Sequence, residues 1–143
     1  MIEVQRATHS MLPEESMLER WVSEALGNTE GDLVLRFVDE EESRYLNRTF
    51  RGKDRPTNVL SFAFESPPAI DLPYLGDLVI CAPVVECEAQ QQNKPLEAHY
   101  AHMVVHGVLH LLGYDHQDAA QAEIMEALEI ELLGRLSYPN PYE

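Results

Sequence analysis

The chain has 143 residues, of which 45% are hydrophobic, and a formal net charge of −15. This length fits one domain over residues 1–143, and the negative charge excludes a protein that coats nucleic acid nonspecifically, because most of its surface repels polyanions. The first ten residues lack an apolar core and no apolar run approaches about 18 residues, so we expect a cytoplasmic protein without a signal peptide or membrane partner.

Hydrophobic periodicity predicts two strands and two helices in the N-terminal part of the chain. In chain order they are a strand over residues 2–5, a helix over 13–26, a strand over 33–38 and a helix over about 40–50. In the second helix, we expect Tyr45, Leu46 and Phe50 to face inward. A separate face of that helix carries Arg44, Arg48 and Arg51.

The C-terminal part is predicted to contain two more strands and three more helices. The strands cover residues 58–64 and 75–82, and the helices cover about 83–92, 96–112 and 118–133. Residues 65–73 are predicted to form a loop, because their three prolines cannot donate hydrogen bonds to a sheet. The last helix should turn Ile124 and Met125 inward and its glutamates largely outward. The predicted fold class is α+β, a small mixed four-stranded sheet covered by several helices.

Three histidines near the end of the predicted helix over residues 96–112 have the spacing of a metal site. His106 and His110 lie four positions apart, so their imidazoles project from the same side of the helix. Gly113 allows a turn that brings His116 opposite them, in the pattern HxxxHxxGxxH of metzincin zinc sites. Three neutral nitrogen ligands leave a tetrahedral ion one open position, which is typical of catalysis. We expect one divalent ion, with zinc favoured, on this central helix and the following loop.

Residues around this predicted centre limit its chemistry. Gly107 stands where the protease motif HExxH has its catalytic glutamate, so peptide hydrolysis is disfavoured. We expect this glycine to keep space beside the ion open for a phosphodiester. His99 and His102 share the helical face of His106, and we expect them behind the ligands or at the surface. Asp77 and Asp115 are candidates for orienting a histidine or a water.

Half of the basic residues are concentrated in one short segment. Five of the ten lysines and arginines lie between positions 44 and 55, namely Arg44, Arg48, Arg51, Lys53 and Arg55. Only Asp54 opposes them there. Composition alone favours a solvated helix face and loop for this cluster.

Three motifs together resemble those of a known family. They are HGVLHLLGYDH, the pair Gly76-Asp77 within the second of the C-terminal strands, and RGKDRPTNVLSF. In their order and over nearly the whole chain they are similar to the YbeY-type bacterial endoribonucleases. The resemblance implies a metal-dependent, single-strand-selective endoribonuclease that acts in 3′-end maturation of 16S ribosomal RNA and in ribosome quality control.

The resemblance also assigns roles to individual residues. The metal-binding histidines of the family fall on His106, His110 and His116, and its functionally important arginine falls on Arg51. Arg44 and Arg48 would then offer further phosphate contacts near the site. The usual proline after the SF pair is Ala63 here, a departure at a strand end that leaves the metal ligands unaffected.

The partners implied by the resemblance are precursor ribosomal RNA, a small-subunit ribosomal protein and a ribosome-associated GTPase, and DNA is not expected. The acidic surface suits a basic ribosomal protein. Two alternatives stay open at this point. One is a noncatalytic ribosome-assembly factor with a structural metal, which would be closed by protein ligands. The other is a metallopeptidase-like hydrolase, which would need a replacement for the missing glutamate.

Overall fold

The computed structural model describes residues 1–64 and 74–143. Within these ranges the elements, in chain order, are β1 Ile2–Ala7, α1 Glu15–Leu26, β2 Asp32–Val38, α2 Glu40–Arg51, β3 Val59–Ala63, β4 Tyr74–Cys81, α3 Ala82–Gln91, α4 Leu96–Leu111 and α5 Ala119–Arg135. The loop predicted for residues 65–73 lies outside the described residues. The predicted α+β class is confirmed, and the helix and strand boundaries agree with the sequence pattern to within a few residues.

The four strands form one mixed sheet in the order β1-β2-β4-β3. β1 and β2 pair in parallel, as do β2 and β4, whereas β3 runs antiparallel to β4 at the edge. Hydrogen bonds of 2.9 Å join Asn58 to Cys81 and Phe64 to Leu75, so the backbone groups at these even positions face β4. The alternating antiparallel pattern therefore turns the backbone groups of Val59, Ser61 and Ala63 away from the sheet.

Side chains alternate between the two faces of the sheet, and each face has its own apolar cluster. The larger cluster joins β2 residues such as Leu35 and Phe37 to helices α1, α4 and α5. The smaller cluster contains Val38, Val79 and Cys81 and packs against α2 and α3. Eleven of the sixteen residues of α4 are buried, so α4 is the central helix of the core. No helix in the described ranges has the length and hydropathy needed to cross a membrane.

The inward face predicted for α2 is partly wrong. Tyr45 and Phe50 are 55% and 57% exposed, whereas Ser43 and Asn47 are buried. The Asn47 side chain donates to the carbonyl of Arg55 at 2.8 Å, and Ser43 bonds both backbone groups of Thr57 at 3.0 Å. α2 therefore turns polar side chains inward because the segment packed against it supplies backbone groups that need hydrogen-bond partners.

Candidate metal centre and cleft

The three predicted ligands lie together where α4 ends. His106 and His110 occupy the last two turns of the helix, and their Nε2 atoms are 3.1 Å apart. Gly113 has a φ of 102°, a conformation that favours glycine, and the chain turns there as predicted. The His116 ring consequently stands 5.7 Å from the His106 ring and 5.0 Å from the His110 ring, centroid to centroid.

The geometry and protonation of these side chains fit a divalent ion. One ligand nitrogen from each of the three rings lies within 4.8 Å of the others. Nitrogens bound tetrahedrally at about 2.0–2.1 Å are about 3.3–3.4 Å apart, close to the observed His106–His110 separation. Burial, followed by the neighbouring His106 and His116, lowers the pKa of His110 and favours the neutral ring that ligates metals. Among residues 1–64 and 74–143, no fourth His, Cys, Asp or Glu joins this group.

A buried carboxylate lies behind His106. Glu129 of α5 is fully buried, and its Oε1 atom is 2.8 Å from Nε2 of His102 and 3.1 Å from Nδ1 of His106. The Tyr142 hydroxyl donates to the same carboxylate at 2.9 Å. Burial alone would raise the pKa of Glu129, but the hydrogen bonds from His102 and His106 outweigh it and lower the pKa to about 2. The carboxylate is therefore ionised at neutral pH.

Sequence reasoning missed this carboxylate. The prediction that the glutamates of the last helix lie largely outward is wrong for Glu129, and the inward prediction is wrong for Ile124, which is 61% exposed. Glu129 follows Met125 by four residues and precedes Leu132 and Leu133 by three and four, and all three of these are buried. This helical spacing was the signal that placed Glu129 on the inward stripe. A carboxylate at a buried position of this kind requires hydrogen-bond donors from the protein.

A cleft of about 680 Å³ is lined by the three histidines and by three basic residues. Its walls come from the end of α2, the edge strand β3, the end of α4 and the loop after it, and its basic residues are Arg51, Lys53 and Arg55. The Arg51 guanidinium donates to the Ser61 carbonyl at 2.9 Å and lies 5.0 Å from the centre of the Phe62 ring. Among the residues that the structure describes, no carboxylate lies within 4.0 Å of Arg51, so its charge is not neutralised by an ion pair.

The other predicted site residues lie at different distances from the cleft. Arg44 and Arg48 do not line it, and Arg44 donates two hydrogen bonds, of 2.8 and 3.0 Å, to Asp54. Asp115 does line it, and its carboxylate accepts from the backbone N–H of His116 at 2.7 Å. Asp77 lies in β4, accepts from the Tyr74 hydroxyl, and is not among the cleft residues.

The predicted role of Gly107 is wrong. A Cβ atom at this position would lie 2.8 and 2.9 Å from the two Cδ atoms of Leu78, which is fully buried in β4. The missing side chain therefore allows α4 to approach the sheet closely, and the glycine does not keep space open in the cleft. A glutamate side chain at this position would meet the sheet.

Gly107→Ala should destabilise the protein through this contact. Gly134→Ala is a matched control, because Gly134 is also helical and has nothing within 4 Å of an added Cβ atom. We expect the free energy of unfolding of Gly107→Ala to fall about 1–3 kcal/mol below that of Gly134→Ala, the usual cost of overpacking a core. Urea denaturation of both variants measures this difference, and equal stabilities would contradict the close packing on Leu78.

Comparisons with known proteins identify the family and support the fold. The model of the family described as Endoribonuclease YbeY matches residues 2–137. The solution structure of TM1509 from Thermotoga maritima is similar with a TM-score of 0.56 and 28% sequence identity, over 96% of this chain and 92% of that chain. The family match extends from β1 through α5 and includes the three histidines and Arg51. The chain thus belongs to the YbeY endoribonuclease family, which makes RNA its substrate class.

Proposed function

We propose that this protein is a zinc-dependent endoribonuclease that cuts single-stranded RNA in the cleft at the end of α4. One observation carries the proposal: three histidines able to share an ion line the same cleft as Arg51, Lys53 and Arg55, which form no ion pair with a carboxylate among the described residues. A metal-binding group next to positive charge suits an RNA phosphodiester. A peptidase would need a general base beside the ion, and a glutamate at position 107 would face Leu78.

In this proposal His106, His110 and His116 hold the ion. A bound zinc ion supplies Lewis acidity and lowers the pKa of water. The protein contributes the orientation of the ligands, and Arg51 contacts the phosphate on which charge develops. Because Arg51 already bonds the Ser61 carbonyl, its planar fork is held at the cleft wall and can present its remaining donors to a phosphate oxygen.

The remaining basic residues would hold the RNA backbone. Lys53 and Arg55 line the cleft and are exposed, so each can reach a phosphate next to the cleaved one. Arg44 and Arg48 lie on α2 before Arg51, and they would contact the strand where it leaves the cleft. The contribution of Arg44 should be smaller, because Asp54 already neutralises much of its charge.

We propose one functional domain over residues 1–143 that acts in the cytoplasm on precursor 16S ribosomal RNA, in 3′-end maturation and in quality control. The family supports ribosomal RNA processing in general. The net charge of −15 would favour docking on a basic small-subunit ribosomal protein, with a ribosome-associated GTPase as a second partner.

Metal content and cleavage should change together. We expect purified protein with one zinc ion per chain to cut a single-stranded RNA and to leave the same sequence intact in a duplex. Chelation should abolish cleavage, and zinc should restore it. Gel analysis of both substrates, with metal analysis of the same sample, checks this. Fully loaded protein that cuts neither substrate would favour the noncatalytic assembly factor instead.

A further inference from the structure

We infer that Glu129 and Tyr142 are positioning residues that orient His106 for the metal, so that the C-terminal segment of the chain sets the affinity of the centre. This inference rests on the proposed three-histidine centre. It adds two residues that do not touch the ion and act on it through the ring of His106.

The ring of His106 is placed between two groups. Its Nε2 atom points toward His110 at 3.1 Å, and its Nδ1 atom points toward the Glu129 carboxylate at 3.1 Å. A carboxylate can only accept hydrogen bonds, so Nδ1 of His106 carries the proton. The lone pair is then on Nε2, on the side of the other histidines. A hydrogen bond from the far nitrogen to a carboxylate is the usual way in which proteins orient a metal-binding histidine.

Glu129 is itself fixed from two further directions. His102 donates to Oε1 at 2.8 Å, and the Tyr142 hydroxyl lies 2.9 and 3.0 Å from the two carboxylate oxygens. With an exposed fraction of 0%, the carboxylate is shielded from bulk solvent, so its protein donors determine its orientation. Three donors, two from α4 and one from the C-terminal segment, therefore fix one orientation of the carboxylate, and with it one orientation of His106.

Tyr142 extends this support to the end of the chain. Its ring meets the His102 ring edge to face with centroids 5.4 Å apart, and Lys94 donates to the Pro141 carbonyl at 2.6 Å. The segment after α5 is thus attached to the rest of the protein at Pro141 and at Tyr142 itself. Tyr142 lies beyond residues 2–137, the part of the chain that the family model matches.

A second metal site is the competing interpretation, because His102, His106 and Glu129 also offer ligand atoms within 4.8 Å of one another. Two observations favour hydrogen bonds. The contacts of 2.8 and 3.1 Å are normal hydrogen-bond lengths, and the third partner is a tyrosine hydroxyl that donates to the same oxygens. A neutral His106 also has one lone pair, so it cannot ligate one ion through Nε2 and another through Nδ1.

Glu129→Gln and Tyr142→Phe test the inference, with Glu131→Gln and Tyr138→Phe as matched controls. Glu131 is two residues away on α5 and pairs with Arg135, and the Tyr138 hydroxyl bonds Glu97 away from the centre. For each purified protein, competition with a chromophoric chelator gives the zinc dissociation constant and stoichiometry. The visible spectrum of the Co²⁺ form reports ligand geometry, and melting with and without zinc separates metal affinity from stability of the metal-free protein.

We expect Glu129→Gln to bind zinc roughly 10–100-fold more weakly, because the amide can donate to His106 and favour the wrong tautomer. Tyr142→Phe should bind it about two- to tenfold more weakly, since one hydrogen bond is lost. Both should shift the Co²⁺ spectrum and reduce the rise in melting temperature on adding zinc. The controls should match the wild type in all three measurements.

Several outcomes would overturn the inference. Wild-type affinity and spectrum in both test variants would remove the positioning role and leave the proposed centre intact, whereas a wild-type protein that binds no zinc would remove both. A second ion per chain that disappears in Glu129→Gln would replace it with a second metal site. If Glu129→Gln fails to fold, Tyr142→Phe decides, because it removes a single hydroxyl.

Discussion

His110→Ala should lose both zinc binding and RNA cleavage. Removing a residue that only orients a ligand costs roughly 10–100-fold in metal affinity, so removing a ligand should cost more than about 100-fold. His110 is half-buried and its Nε2 atom lies beside that of His106. Another side chain could supply the lost ligand nitrogen only if the surrounding residues repacked. Chelator competition and an assay on single-stranded RNA measure the two losses.

His9→Ala is the matched control for this variant. His9 is exposed and lies just after β1, away from the cleft residues. It should bind zinc and cleave RNA as the wild type does. An His110→Ala protein that is folded and binds zinc with unchanged affinity would refute the three-histidine centre. A metal-free His110→Ala protein that still cleaves at the wild-type rate would refute the catalytic role of the ion.

Arg51→Ala should lower the rate of cleavage and leave stability and metal content almost unchanged. By analogy with the loss of an oxyanion donor, the expected cost is roughly 2–4 kcal/mol in the transition state, or about 30- to 1000-fold in kcat. The structural interactions of Arg51 are weak, because the side chain is exposed and its hydrogen-bond partners are the backbone carbonyls of Phe50 and Ser61. Arg51→Lys should recover little, because an ammonium lacks the bidentate fork.

Arg20→Ala serves as the control for a lost surface arginine, since Arg20 is exposed on α1 and does not line the cleft. Single-turnover cleavage, thermal melting and metal analysis should be carried out on one preparation of each variant. If Arg51→Ala melts well below the wild type and loses activity in proportion, the residue acts on the fold. If it melts normally and cleaves at the wild-type rate, Arg51 has no catalytic role.

The sequence predicted the fold well because most elements have a clear period. The odd positions of β2, Leu33, Leu35 and Phe37, lie in the larger apolar cluster, and α4 is apolar on nearly all sides, as expected for a helix buried in the core. Prediction failed at Tyr45 and Phe50 of α2, because apolar residues on an amphipathic helix were taken to face the core. The structure places Ser43 and Asn47 there instead, since a neighbouring loop requires hydrogen bonds.

The candidate site was predictable only where its residues are close in the sequence. His106, His110 and His116 lie within eleven positions, so local helix geometry and one glycine turn were enough to group them. Helical spacing places Glu129 on the inward face of α5, but its contact with His106, and the contact of Tyr142 with Glu129, depend on the packing of segments that are distant in the sequence. The misassignment of Gly107 has the same origin, because its neighbour Leu78 is on a distant strand.

The small number of cations in the cleft has a consequence for salt dependence. Binding of single-stranded nucleic acid weakens with salt by a slope of about −0.7 per phosphate neutralised, because condensed counterions are released. Arg51, Lys53 and Arg55 together correspond to a slope of about −2, and the proposed contacts of Arg44 and Arg48 would bring it to about −3.5. The net charge of −15 opposes this attraction. Counterion release therefore gives this protein little hold on free RNA, and its residence on a substrate depends on what presents the strand to it.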